Sequence, residues 1–157
     1  MSAICRVDIA IVSDPFSRAD LDQRFDALGL KAGVAGAVVS FIGQVRESGD
    51  RPDVTGLLLE HYAGMTENVL QQHVASACLR WDILGIVIVH RVGEMHLGEN
   101  VVGVVVASAH RQVAFDAVQY LMDFLKNDAP FWKKELTENS AEWVEQKETD
   151  LESAKRW

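Results

Sequence analysis

Two strongly β-prone runs, Ile86 to Val92 and Val101 to Ala109, flank a short segment containing Gly93, Gly98, Glu99 and Asn100. Runs this rich in valine and isoleucine suit a pleated, buried surface, and the glycines between them supply a turn, so the two are expected to pair antiparallel. Val34 to Val45, V-A-G-A-V-V-S-F-I-G-Q-V, reads as another buried strand, ending at Arg46 before the polar stretch E-S-G-D-R-P-D, a flexible loop. Val54 to Tyr62 is then expected as the second strand of a hairpin with it. The opening run M-S-A-I-C-R-V-D-I-A reads as a first strand.

Helical signals alternate with these strands. Ser17-Arg18-Ala19-Asp20 resembles a capping box, and Leu21, Phe25 and Leu28 follow at helical spacing up to Gly29. Thr66 to Trp81 places Leu70, Val74, Ala77 and Trp81 on one face, after a turn at Gly64 and Met65. A further helix from near Arg111 carries Ala114, Val118, Leu121 and Leu125, and must end before Pro130, which cannot donate a helical hydrogen bond. Hairpins with interspersed helices favour an α+β fold over a doubly wound parallel sheet. With 157 residues, 48% of them hydrophobic and 24% charged, residues 1–157 suit one globular domain without repeats or linkers.

The formal net charge of -8 argues against nucleic-acid binding, which needs a basic face. Cys5 and Cys78 lie far apart and form neither a disulfide framework nor a zinc motif, so a reducing cytoplasm is the default. The charges at Arg6 and Asp8 interrupt the opening apolar run, so neither secretion nor membrane insertion is indicated. His61, His90 and His96 lack the spacing of a zinc site, and no metal is expected. No Walker A loop, dinucleotide fingerprint or G-x-S-x-G elbow is present, and Ser108 near His110 does not make a triad.

Against this acidic background, Met122 to Glu135, M-D-F-L-K-N-D-A-P-F-W-K-K-E, gathers three of the six lysines, Lys126, Lys133 and Lys134, around a Pro-Phe-Trp turn. Ammonium groups beside aromatic rings are costly to desolvate, and such sites serve anionic substrates or catalytic lysines. The plainer alternative is that Phe131 and Trp132 are core anchors and the lysines are solvated. Lys126 shares a helix face with Gln119 and Met122, beside the apolar stripe, which puts its head group at the edge of the core in a cleft. Ser108-Ala109-His110-Arg111 lies where a strand hands over to a helix, a place that favours anions; a helix cap and a surface charge are the alternatives there. Arg46 projects from a strand end toward the same cleft, or forms a rim ion pair with Glu47 or Asp50.

Several segments in order then resemble one family: F-I-G-Q-V-R at Phe41 to Arg46, L-E-H-Y-A-G-M-T-E at Leu59 to Glu67, and H-R-V-G-E at His90 to Glu94. S-A-H-R at Ser108 to Arg111, M-D-F-L-K at Met122 to Lys126, A-P-F-W-K-K-E at Ala129 to Glu135 and the terminal A-K-R-W complete the set. Over nearly its whole length the chain is similar to the large, catalytic subunit of molybdopterin synthase. That resemblance implies an α/β hammerhead with additional antiparallel strands. It implies sulfur transfer from the C-terminal thiocarboxylate of a small ubiquitin-like subunit to cyclic pyranopterin monophosphate, forming the dithiolene of molybdopterin without a cofactor. It also implies a large-subunit homodimer within a heterotetramer.

By matched motif, Lys126 and Lys133 correspond to the family's catalytic lysines, and His110 and Arg111 to its phosphate and pterin contacts. Gln44, Val45 and Arg46, with Lys134 and Glu135, fall in its substrate-binding segments, and Lys147 matches a tail position that reaches a neighbouring protomer's pocket or else is a solvated charge in a polar tail. Gln44 stands where the family commonly has lysine and removes a charge; Lys134 stands where arginine is frequent and loses a bidentate fork. A non-catalytic adaptor that merely docks the carrier's tail is the rival reading.

Overall fold

In the computed structural model, which describes residues 4–47, 53–145 and 147–157, the two valine-rich runs lie side by side at the centre of a four-stranded sheet. The elements in chain order are β1 (Arg6–Val12), α1 (Arg18–Ala27), β2 (Ala37–Gln44), β3 (Gly56–His61), α2 (Met65–Arg80) and β4 (Ile83–Arg91). β5 (Gly93–His96), β6 (Asn100–Ser108), α3 (Arg111–Asn127), β7 (Phe131–Leu136), β8 (Ala141–Trp143) and α4 (Glu148–Ala154) follow. The first sheet has the order β1-β4-β6-β2, antiparallel except for the β1–β4 pair; the second, β5-β3-β7-β8, is antiparallel throughout.

β4 and β6 are buried on both faces, which is why their sequences are nearly unbroken apolar runs. Strand alternation sends Ile86, Ile88, Val104 and Val106 toward Leu70, Val74, Ala117 and Leu121 of α2 and α3. Val87, Val89 and Val105 point the other way, to Leu21 of α1. Each such side chain contributes roughly 1.5–3 kcal/mol of transfer free energy. Gly103 is what lets α1 approach, since a Cβ there would stand 2.5 Å from Cδ1 of Leu21. The Ser17 capping box forms as expected, with Ser17 N–H donating to Asp20 and Asp20 N–H to Ser17 Oγ.

Several expectations are corrected. β2 and β3 do not form a hairpin: β2 is paired along its length with β6, while β3 lies between β5 and β7 in the other sheet. The reason is visible at Val45, whose N–H donates to Glu99 O at 2.9 Å and whose carbonyl accepts from Gly98 N at 2.7 Å. The end of β2 is thereby tied to the β5–β6 turn. The polar loop expected over 47–53 falls largely on residues 48–52, outside the described residues. The segment between β4 and β6 is more than a turn, because it contributes β5. The expected Pro-Phe-Trp turn is instead the start of β7, and the residues after it supply β8 and α4.

Trp157 docks on this same chain, edge-on to Trp81 and Tyr120 with ring centroids 5.6 and 5.8 Å apart. Cys5 and Cys78, 73 positions apart in sequence, meet with their Sγ atoms 2.6 Å apart. Among the described residues no helix is long and apolar enough to cross a membrane.

Candidate active site

A cavity of about 440 Å³ opens where the second sheet meets the end of β2 and the C-terminal turns of α3. β7 explains its chemistry. Alternation places Phe131, Lys133 and Glu135 on the cavity side, while Trp132 and Lys134 face away. On that other face Trp132 meets Tyr62 edge-on at 4.3 Å, and Lys134 Nζ sits 4.0 Å over the ring of Trp143. The three lysines of the 122–135 segment therefore divide: Lys126 and Lys133 line the cavity, and Lys134 does not.

Lys126 comes from the last turn of α3, beside Met122 and Leu125, with its head group exposed as the helical spacing predicts. Lys133 comes from β7, so two separate elements bring the two ammonium groups to one space. Gln44 and Arg46 enter from the end of β2. Between them Val45 turns inward, is 3% exposed and packs with Leu59 and Met95, so it anchors its neighbours rather than lining the cavity. Gln44 Nε2 donates to Asn100 Oδ1 at 2.9 Å, which orients its amide. Lys147 lines this chain's own cavity, with Glu145 and Asp150 from the same tail segment.

Among the described residues four cations, Arg46, Lys126, Lys133 and Lys147, thus line the wall with three carboxylates, Glu135, Glu145 and Asp150. Such a mixed wall can hold an anion without presenting an uncompensated cluster of positive charge. Glu135 is the most sequestered of the carboxylates, 3% exposed.

His110 and Arg111 are elsewhere. They open α3, both exposed, and the helix carries them roughly 22 Å from Lys126 at 1.5 Å per residue. His110 is the N-cap, its carbonyl accepting from Ser108 Oγ at 2.6 Å. Neither lines the cavity.

Several wall residues escaped the sequence reading as site members, among them Glu145, Asp150 and His90. His90, at the end of β4, is 7% exposed and lines the cavity, its ring stacked on Phe131 at 4.0 Å with 19° between planes. Burial pushes its pKa down to about 4, opposed by the Arg91 carbonyl and aided by nearby His61, so it is a neutral imidazole at pH 7. The signal was present in H-R-V-G-E, but a histidine within an apolar run reads as core until a cavity is seen beside it. Among the described residues no three His, Cys, Asp or Glu side chains gather in a way that could hold a metal ion.

Comparison with known proteins bears on what such a cavity does. A family model described as "MoaE protein" matches residues 11–128. The chain is similar to the molybdopterin synthase catalytic subunit of Pseudomonas aeruginosa, 48% identical over 138 residues that span 88% of this chain and 92% of the relative. Among solved structures it resembles the molybdopterin biosynthesis MoaE protein from Burkholderia ambifaria, with TM-score 0.78, 38% identity and coverage of 96% and 97% of the two chains. The crystal structure of molybdopterin synthase from Staphylococcus aureus matches with TM-score 0.75 and 29% identity, over 86% of this chain and 95% of that one.

Proposed function

This chain belongs to the MoaE family, and from that premise we propose that it is the large, catalytic subunit of a molybdopterin synthase. In this reading it transfers sulfur from the C-terminal thiocarboxylate of a small ubiquitin-like subunit to cyclic pyranopterin monophosphate, in the cytoplasm. The observation that carries it is the convergence of Lys126 from α3 and Lys133 from β7 on one cavity, with Arg46 at its rim.

The chemistry needs cations there. A thiocarboxylate and a cyclic phosphate are both negative, and bringing them together is costly unless the receiving protein supplies positive charge. Lys133 positions the thiocarboxylate or the substrate. Lys126 stabilises the oxyanion that develops on addition, or moves the proton as the acyl link between carrier and substrate is hydrolysed. The relatives' designation as catalytic subunits fits an assembly in which another subunit delivers the sulfur.

His110 and Arg111 fit this scheme only across a dimer. Since α3 holds them far from Lys126 of the same chain, the phosphate contact implied by the family resemblance is made in the cavity of a second copy. The test of the whole reading is reconstitution: this protein, a thiocarboxylated small subunit and cyclic pyranopterin monophosphate, with the dithiolene product oxidised to its fluorescent derivative. Product that requires both proteins is the expected result. A tight complex that forms no product would instead favour the adaptor.

A further inference from the structure

Of the two ring nitrogens of His90, one is accounted for. Nδ1 lies 3.1 Å from the carbonyl oxygen of Arg91, and because a carbonyl oxygen only accepts, Nδ1 carries the hydrogen. The buried ring holds a single proton at neutral pH, so Nε2 is a bare lone pair. No described residue donates to it. The stack on Phe131 fixes the ring plane, and the side chain forms part of the cavity wall. Nε2 is not among the buried side-chain atoms left without a partner, so it is not sealed in the interior but meets the cavity that His90 lines, where a donor that enters can reach it.

Charge decides what that is. The cyclic phosphate diester and the thiocarboxylate carry no proton near neutral pH, so an oxygen of either brought against Nε2 would set lone pair against lone pair, and these groups are directed to Lys126, Lys133 and Arg46 instead. We propose that Nε2 of His90 accepts a hydrogen bond from a ring N–H of the substrate, so that this wall of the cavity recognises a nitrogen heterocycle while the lysines hold its anionic part. The inference rests on the reaction proposed above and deepens it by naming the group that selects the pterin ring. His90 is then a specificity residue, one that phosphate alone does not engage.

The test compares His90→Phe, which keeps the ring stack and loses the acceptor, with His90→Gln, whose amide oxygen reaches a similar place. Binding of cyclic pyranopterin monophosphate and of inorganic phosphate is measured by calorimetry on each full-length protein, with thermal melts to establish folding. His90→Phe is expected to weaken pterin binding about ten-fold, the effect of one lost hydrogen bond, while phosphate binding is unchanged. His90→Gln is expected to retain most of the pterin affinity. Unchanged pterin binding in His90→Phe overturns the assignment, as does a folded His90→Gln as weak as His90→Phe, or equal loss of both ligands. A wild-type protein that neither binds nor converts the pterin removes the reaction reading and this assignment together.

Discussion

The indole Nε1 of Trp157 donates to Asp123 Oδ2 on α3 at 2.6 Å, fastening the tail to the helix that carries Lys126. Arg80 adds a bond to the Trp157 carbonyl at 2.9 Å, and Asn127 reaches the Asp150 carbonyl at 2.8 Å. Because Val144, Glu145, Lys147 and Asp150 line the cavity, this fastening holds one of its walls. Trp157→Ala should cost about 2 kcal/mol of stability, less than a fully buried tryptophan because the residue is only partly buried. It should also raise KM for the pterin. A denaturant melt and steady-state kinetics check both, and an unchanged KM would mean that the wall stands without its anchor.

Lys126→Ala should abolish turnover while leaving the fold and binding of the small subunit largely intact. Lys126→Arg separates catalysis from docking. Arginine keeps the charge but does not release a proton near neutral pH, so proton transfer fails while charge pairing survives. Near-normal product formation by Lys126→Arg in the reconstituted assay would count against a proton-transfer role, and near-normal turnover by Lys126→Ala would remove the lysine from the mechanism.

Cross-protomer action of Arg111 predicts complementation. Lys126→Ala and Arg111→Ala proteins should each be poorly active alone, yet regain activity when mixed and allowed to exchange subunits. A mixed dimer contains one cavity with both residues native, by the symmetry of a two-fold assembly. If mixing restores nothing although exchange is shown by mass spectrometry, the two residues do not act across a dimer.

The pH dependence of stability should carry a His90 component. Its folded pKa of about 4 lies below the ordinary histidine value of 6.5, so between these limits the unfolded chain binds more protons. Stability therefore falls as pH drops from 6.5 toward 4, by roughly 3 kcal/mol from this group, and the contribution is flat below 4. Carboxylates titrate nearby, so the useful quantity is the difference between wild type and His90→Phe, taken from urea melts across that range. Parallel curves would show that the ring is protonated without penalty.

The thiols of Cys5 and Cys78 should react unequally. The Cys78 pKa is lowered because its thiolate accepts the S–H of Cys5, while that hydrogen bond, burial and the Cys78 charge all raise Cys5. Iodoacetamide should therefore modify Cys78 first, and Cys5→Ala should slow it by removing the donor. Peptide mapping over time reads both rates; equal rates at the two sites would contradict a shared proton.

Much of the fold was legible because its signals are local. The capping box at Ser17, the apolar stripe of α3 and the β-branched runs of β4 and β6 each lie within one element, and the structure has each where its spacing puts it. Chain neighbours mislead when strands choose partners. β2 and β3 read as a hairpin, but β6 offered β2 a valine-rich edge, and β3 was left to pair with β7. The β strand at Phe131–Leu136 was missed because Pro130, an aromatic pair and two lysines resemble a turn when read along the chain.

By itself the sequence determined which residues carry charge, where the first three helices begin and end, and that cations concentrate in the 122–135 segment of an acidic chain. Those are properties of composition and of short-range periodicity. Tertiary structure decided which lysines count together: strand alternation turned Lys133 toward Lys126 and Lys134 toward Trp143, and the length of α3 kept His110 and Arg111 away from this chain's own cavity. It also made His90 part of the site. A side chain becomes a binding group through what it faces, and facing is settled only when non-local strands and helices pack.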